Sequence, residues 1–123
     1  MWLRKKIKEQ KKRETFPRAI EVNGELVGVI EISRIIRGHK ASIGYWISKK
    51  HRGQGIMSRA IKEMVRYGFK AFKLKRIYAY VFPKNTASQK VLEHNGFVKE
   101  GLLIKHIKKD NKFRDLYIFA KVK

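Results

Sequence analysis

No cysteine occurs in the 123 residues of the chain, and that absence removes disulfides, thiolate metal sites and cysteine nucleophiles together. No apolar run approaches membrane-spanning length and no hydrophobic signal segment opens the chain, so the expectation is a cytoplasmic protein with no membrane partner. The four histidines (His39, His51, His94 and His106) lack the spacing of metal ligands, and no metal is expected. Negative charge is scarce as well: 10 Asp and Glu stand against 31 Lys and Arg, a formal net charge of +21. A field of that sign attracts polyanions, among them RNA and phosphorylated cofactors, and repels small polycations on approach. A solvated lysine-rich surface with no partner is the plainer reading of the same numbers.

The hydrophobic content, 43%, is that of a globular chain long enough for one modest core, so residues 1–123 are expected to form a single domain. Residues 1–13, with Trp2, Leu3 and Ile7 among seven Lys or Arg, read as a short basic helix that Pro17 prevents from continuing. Asn23-Gly24 between Ala19–Val22 and Glu25–Ile30 is a hairpin signal, because a type I′ turn needs positive φ at both central residues. Residues 33–40 read as a basic loop around Gly38, and Ala41–Ser48 as a strand. From Ile56 to Phe72 the apolar positions recur with helical period, while Lys62, Arg66, Lys70 and Lys73 take the other side. A strand Arg76–Phe82 follows, then a short helix capped at Asn85 or Thr86 and stopped by Asn95-Gly96. Two strands, Phe97–Lys108 and Phe113–Val122, complete the chain, and the length of the first predicts a bulge. Strand, long helix and second strand predict a right-handed crossover with those two strands parallel, inside a sheet whose hairpins are antiparallel.

The turn that opens the long helix carries the chemistry. Lys49-Lys50-His51-Arg52-Gly53-Gln54-Gly55-Ile56-Met57 places two glycines where a strand ends and a helix begins. Glycine lets the backbone come close to a ligand, and the first helical amides add unpaired donors and partial positive charge. The combination makes a cradle for a phosphate or pyrophosphate. Taken alone, the two glycines also fit an ordinary strand-to-helix connection, just as Asn85 alone reads as a helix cap.

Three segments in this order resemble the Gcn5-related N-acetyltransferase (GNAT) superfamily. They are Ile43-Gly44-Tyr45-Trp46-Ile47, Arg52-Gly53-Gln54-Gly55-Ile56-Met57, and Asn85-Thr86-Ala87-Ser88 followed by Glu93-His94-Asn95-Gly96-Phe97. The Gly-Tyr-Trp strand and the Met after the turn look like the RimJ/RimL-like branch, the ribosomal-protein N-acetyltransferases. The resemblance runs from about residue 19 to the end. It implies a mixed α/β fold, a mostly antiparallel sheet with a central parallel β-α-β crossover. This is the acyl-CoA N-acyltransferase fold, N-terminally shortened, since the family places a strand and two helices before the hairpin.

The resemblance further implies an enzyme that uses acetyl-CoA as cosubstrate and no metal. Its acceptor would be a primary amine, a protein N-terminal α-amino group on a ribosomal or acidic protein. Arg52, Gly53, Gln54, Gly55, Ile56 and Met57 would hold the pyrophosphate, Met57 standing where the family pattern ends on a small residue. Backbone at Trp46 and Ile47 would pair with the pantetheine arm, Asn85 would hydrogen-bond it, and Ser88 sits at a cofactor contact. The base and acid positions of a related branch are Tyr80 and Leu92 here, so neither role carries over. Glu31, His39, Glu100 and Asp115, or water chains, are left as general-base candidates, and no catalytic residue is assigned. The alternative is a reduced, non-catalytic module of this fold that binds RNA or the ribosome through its basic surface. A strand edge left open by the short front would suit a homodimer.

Overall fold

The structure, a computed structural model, describes residues 14–123, so the basic helix expected over residues 1–13 lies outside the described residues. Along the chain come β1 (Glu14–Val22), β2 (Glu25–Ile36), β3 (Lys40–Ile47), a 3-10 turn (Lys49–His51), α1 (Ile56–Ala71), β4 (Arg76–Val81), α2 (Thr86–His94), β5 (Val98–Lys109) and β6 (Lys112–Val122). The strands make one sheet in the order β1-β2-β3-β4-β6-β5, antiparallel throughout except where β3 lies beside β4. This is the mixed sheet with a central parallel crossover that the sequence predicts. Both tight hairpins turn through residues with positive φ, the first at the expected Asn23-Gly24. Asn23 and Gly24 (φ 51 and 81) join β1 to β2, and Asp110 and Asn111 (φ 52 and 64) join β5 to β6, residues whose short side chains tolerate the left-handed region. Pro17 sits in β1, an edge strand, where a missing N–H is tolerated.

The basic loop expected at 33–40 is mostly strand. β2 runs on to Ile36 and only residues 37–39 turn. The β2–β3 register slips between Ser33 and Ile36, with Arg34 at φ 52. That bulge resets the alternation, so Ile32 and Ile35, three positions apart, both reach the core. A strict two-residue period misses a strand interrupted in this way.

Ile56, Met57, Ile61, Met64, Val65 and Gly68 form the buried stripe of α1. At Gly68 an added Cβ would stand 2.7 Å from Ile32 Cδ1, so helix and sheet seat closely there and a larger residue would require the Ile32 side chain to move. α2 contributes Leu92 to the same core, which also holds Ile43, Ile77 and Phe119. Both helices therefore cover one face. Among the described residues no helix covers the other face, which carries Glu31, Gly44, Trp46, Tyr78 and Tyr80. No described helix is long and apolar enough to cross a membrane.

β3 and β4 pair only at Lys40↔Arg76, Ala41↔Ile77 and Ser42↔Tyr78. Beyond that point each strand is held by its other neighbour. Gly28 of β2 lies so near the end of β3 that a Cβ would be 2.3 Å from the Trp46 carbonyl oxygen, and Ser48 N–H donates to Val27 O at 2.7 Å. β4 stays with β6 as far as Val81↔Tyr117. The parallel strands part, and a gap opens in the middle of the sheet.

Candidate active site

The turn between β3 and α1 is built from backbone conformations that few residues adopt. Ser48 Oγ and His51 Nδ1, 2.7 Å apart, close the 3-10 turn. Gly53 (φ 78) and Gly55 (φ 74) then take left-handed conformations, and no atom lies within 4 Å of where either Cβ would be. Gly55 caps α1 without any side-chain hydrogen bond. Among the described residues, none of the amides from Gly53 to Ser58 donates to a protein acceptor; Arg59 N–H, bonded to Gly55 O at 3.2 Å, is the first to do so. The first turn of α1 contains no acidic residue, so its partial positive charge is uncompensated and Arg52 adds to it.

These amides open onto a cavity of about 460 Å³. Trp46 and Ile47 line it from β3, Arg52, Gly53, Gly55, Ile56 and Met57 from the turn, and Asn85 and Ser88 from α2. Of the expected cofactor residues only Gln54 is not on the wall. Met57 resolves its departure from the small-residue pattern: its side chain packs in the core, 8% exposed, while its amide belongs to the turn. Asn85 is indeed a cap, its Oδ1 accepting from Ser88 N–H at 3.1 Å. That bond uses Oδ1 and leaves Nδ2 with no protein partner among the described residues.

Tyr45 also lines the cavity, and its hydroxyl is hydrogen-bonded to Ser88 Oγ. Burial raises its pKa, outweighing the opposing effect of the Ser88 bond, so the phenol stays protonated at neutral pH. Asn95 ties the two helices together: Nδ2 donates to Ser58 O, Ser58 Oγ and Val91 O at 3.3, 3.2 and 3.0 Å. A local signal exists for Tyr45, since it shares a strand face with Ile43 and Ile47; nothing local foretells the Asn95 bridge.

The base candidates separate clearly. Glu100 is clamped by Arg76 through bonds of 2.6 and 2.9 Å, which hold its carboxyl below the ordinary range. Asp115 Oδ1 accepts from Lys105 N–H at 2.8 Å. His39 sits before β3, at the end away from the cavity. Glu31 faces Gly44 across β2–β3, on the helix-free face beside the gap. Leu92, at the family's acid position, is fully buried. A second cavity, of about 610 Å³, lies between the end of β4 and the β5–β6 hairpin and shares Asn85 with the first. Among the described residues no cluster of three or more His, Asp or Glu is placed to hold a metal.

A model of the acetyltransferase (GNAT) domain matches residues 1–98. The probable N-acetyltransferase YjcK of Bacillus subtilis is 42% identical over 97 residues, 77% of this chain and 54% of that protein. The ribosomal protein uS5-alanine N-acetyltransferase of Escherichia coli is 34% identical over 98 residues, 78% of this chain and 50% of that protein. Among solved structures, that of Mycobacterium smegmatis RimJ in complex with CoA-disulfide matches with a TM-score of 0.84 at 35% identity, covering 95% of this chain and 56% of that one. The chain spans about half the length of the curated relatives it matches.

Proposed function

The chain belongs to the GNAT acetyltransferase family, and on that premise we propose that it is an N-acetyltransferase transferring acetyl from acetyl-CoA to a protein N-terminal α-amino group. The observation that carries this reading is the row of unpartnered amides from Gly53 to Ser58 at the mouth of the cavity. Six successive amides with no protein acceptor among the described residues suit a diphosphate, and Arg52 adds a charged donor. Backbone at Trp46 and Ile47, beyond the last β3–β4 pair, offers hydrogen bonds to an extended amide chain such as pantetheine. Asn85 Nδ2 and the Ser88 hydroxyl add side-chain contacts from α2. A β3 amide beside the gap would polarise the thioester carbonyl as an oxyanion-hole donor. Acetyl-CoA itself supplies the activated acyl group.

The acceptor class rests on the relatives: one is named for the alanine of ribosomal protein uS5 and one for a ribosomal-protein serine. A net charge of +21 supports an acidic or ribosome-associated protein as acceptor, with RNA contact nearby, and disfavours small polycations. Cytoplasmic residence accords with such an acceptor. Among the described residues no strand pairs with the outer edge of β1, which leaves room for a homodimer. The non-catalytic RNA-binding module is less favoured, because the cavity and its donors would then have no use. Calorimetry with acetyl-CoA, followed by mass spectrometry of peptides beginning with Ala or Ser, tests the proposal. Saturable binding and a 1:1 acetyl transfer are expected; no heat at millimolar acetyl-CoA would sink it.

A further inference from the structure

β5 carries a bulge with an unusual anchor. Leu103 faces Leu116 and Ile107 faces Arg114, so two extra residues of β5 are accommodated between those pairs. Lys105 takes φ 50, and its N–H is captured by Asp115 Oδ1 at 2.8 Å. A long side chain at positive φ persists only where its surroundings hold it, and such residues gather at functional sites. The consequence here is directional. The bulge brings His106 onto the helix-free face, its ring 5.4 Å from that of Tyr80, which stands 5.7 Å from Tyr78. Tyr78 belongs to the last β3–β4 pair, so Tyr80 borders the open part of the gap.

The cavity that receives the cofactor is lined by Tyr45 and Ser88 on the helix side. A thioester entering the gap from that side leaves the other side to the amine. We propose that His106 is the general base for the acceptor, an inference that rests on the acetyltransferase reading above. Its imidazole takes one proton from the acceptor ammonium. The freed lone pair forms the N–C bond to the acetyl carbonyl, the C–S bond breaks, and the proton the nitrogen then sheds goes to the CoA thiolate.

The charged groups sharing this face are Glu31 on β2, Arg76 clamped to Glu100, and Arg114 on β6. Glu31 is the rival base, but a carboxylate is ordinarily a far weaker base than an imidazole. The exposed Lys105 precedes His106, and the exposed Lys108 follows two residues after it.

The test is H106N, with H94N as a surface control. H106N should bind acetyl-CoA as wild type does by calorimetry, yet lose roughly 100-fold in kcat/KM for an Ala-initiated peptide near neutral pH. The loss should shrink as pH rises and free amine accumulates, with KM for acetyl-CoA unchanged. An unaltered rate and pH profile would overturn the assignment. A second readout needs no turnover: a bisubstrate analogue, CoA joined through an acetyl linker to the peptide amino terminus, should perturb the His106 imidazole resonance and leave that of His94 in place. An unmoved His106 resonance in the saturated complex also overturns it. Failure of wild type to bind acetyl-CoA would be a different result, striking the acetyltransferase reading itself.

Discussion

On the helix side of the gap between β3 and β4, the unpaired polar groups are chiefly main-chain amides, from Gly53 to Ser58. On the helix-free side they are side chains: Glu31, Trp46, Tyr80 and His106. Under the acetyltransferase reading proposed above, the difference matches what each side would recognise. A diphosphate is the same in every turnover, and amides fixed by two left-handed glycines and a helix start suffice to grip it. An acceptor amine must be oriented and deprotonated, which needs groups with their own pKa and shape. The contrast also predicts which substitutions are felt as stability and which as binding.

Gly28→Val should have the largest effect, because the new Cβ would stand 2.3 Å from the Trp46 carbonyl oxygen. The end of β3 must move, at a cost on the order of 4 kcal/mol, read as a lowered midpoint in urea. Cofactor binding should fall with it, and a variant of native stability would mean that β2 does not set the gap. Met57→Ala sharpens the contrast next. Its side chain is core and should cost about 2–3 kcal/mol. Its amide is untouched, so acetyl-CoA affinity of the folded protein should be nearly unchanged by calorimetry. Gly55→Val reverses that pattern. The left-handed cap (φ 74) costs a branched residue about 1–2 kcal/mol, while affinity should drop roughly 100-fold as about two charge-assisted bonds are lost. Equal affinities for these two variants would erase the backbone–side-chain distinction.

Asn85→Ala should be milder, removing the cap to Ser88 N–H for about 1 kcal/mol; a thermal melt reads it. The smallest effect belongs to Glu100. Its carboxyl is held below its ordinary pKa by Arg76, so the pair's stabilisation is present above the unfolded-state pKa and is lost as pH falls through the lowered, folded-state value. With 38% of the Glu100 side chain exposed, the contribution is screened to about 0.5 kcal/mol. Glu100→Gln should flatten stability against pH in the acid range by that amount. It should leave the near-neutral rate unchanged, as expected of a carboxylate that serves β4 and β5 rather than the acceptor.

Legibility in the sequence follows the same division. The glycine turn, the Asn23-Gly24 hairpin, the α1 stripe and the Asn85 cap were readable because each is dictated by a residue's own allowed φ or by a short-range period. Nine of the ten expected cofactor residues stand on one cavity wall. The β2 extension was not readable, since a bulge at Arg34 depends on how the partner strand pairs. Nor was His106, which the sequence shows only as one of four scattered histidines. Its placement rests on the Lys105–Asp115 bond, between residues ten positions apart. The sequence also left Glu100 and Asp115 as base candidates. Both proved to be spoken for by partners that only the folded chain brings near.

The residues alone determined the crossover and the glycine turn, because glycine stereochemistry, helix capping and hydrophobic period act within a few residues of their cause. Where β3 leaves β4, and which side chains border that opening, was decided by the whole sheet. Strand separation is a balance between neighbours on both sides, Gly28 drawing close to one strand and β6 keeping hold of the other. No segment of the chain records that balance by itself.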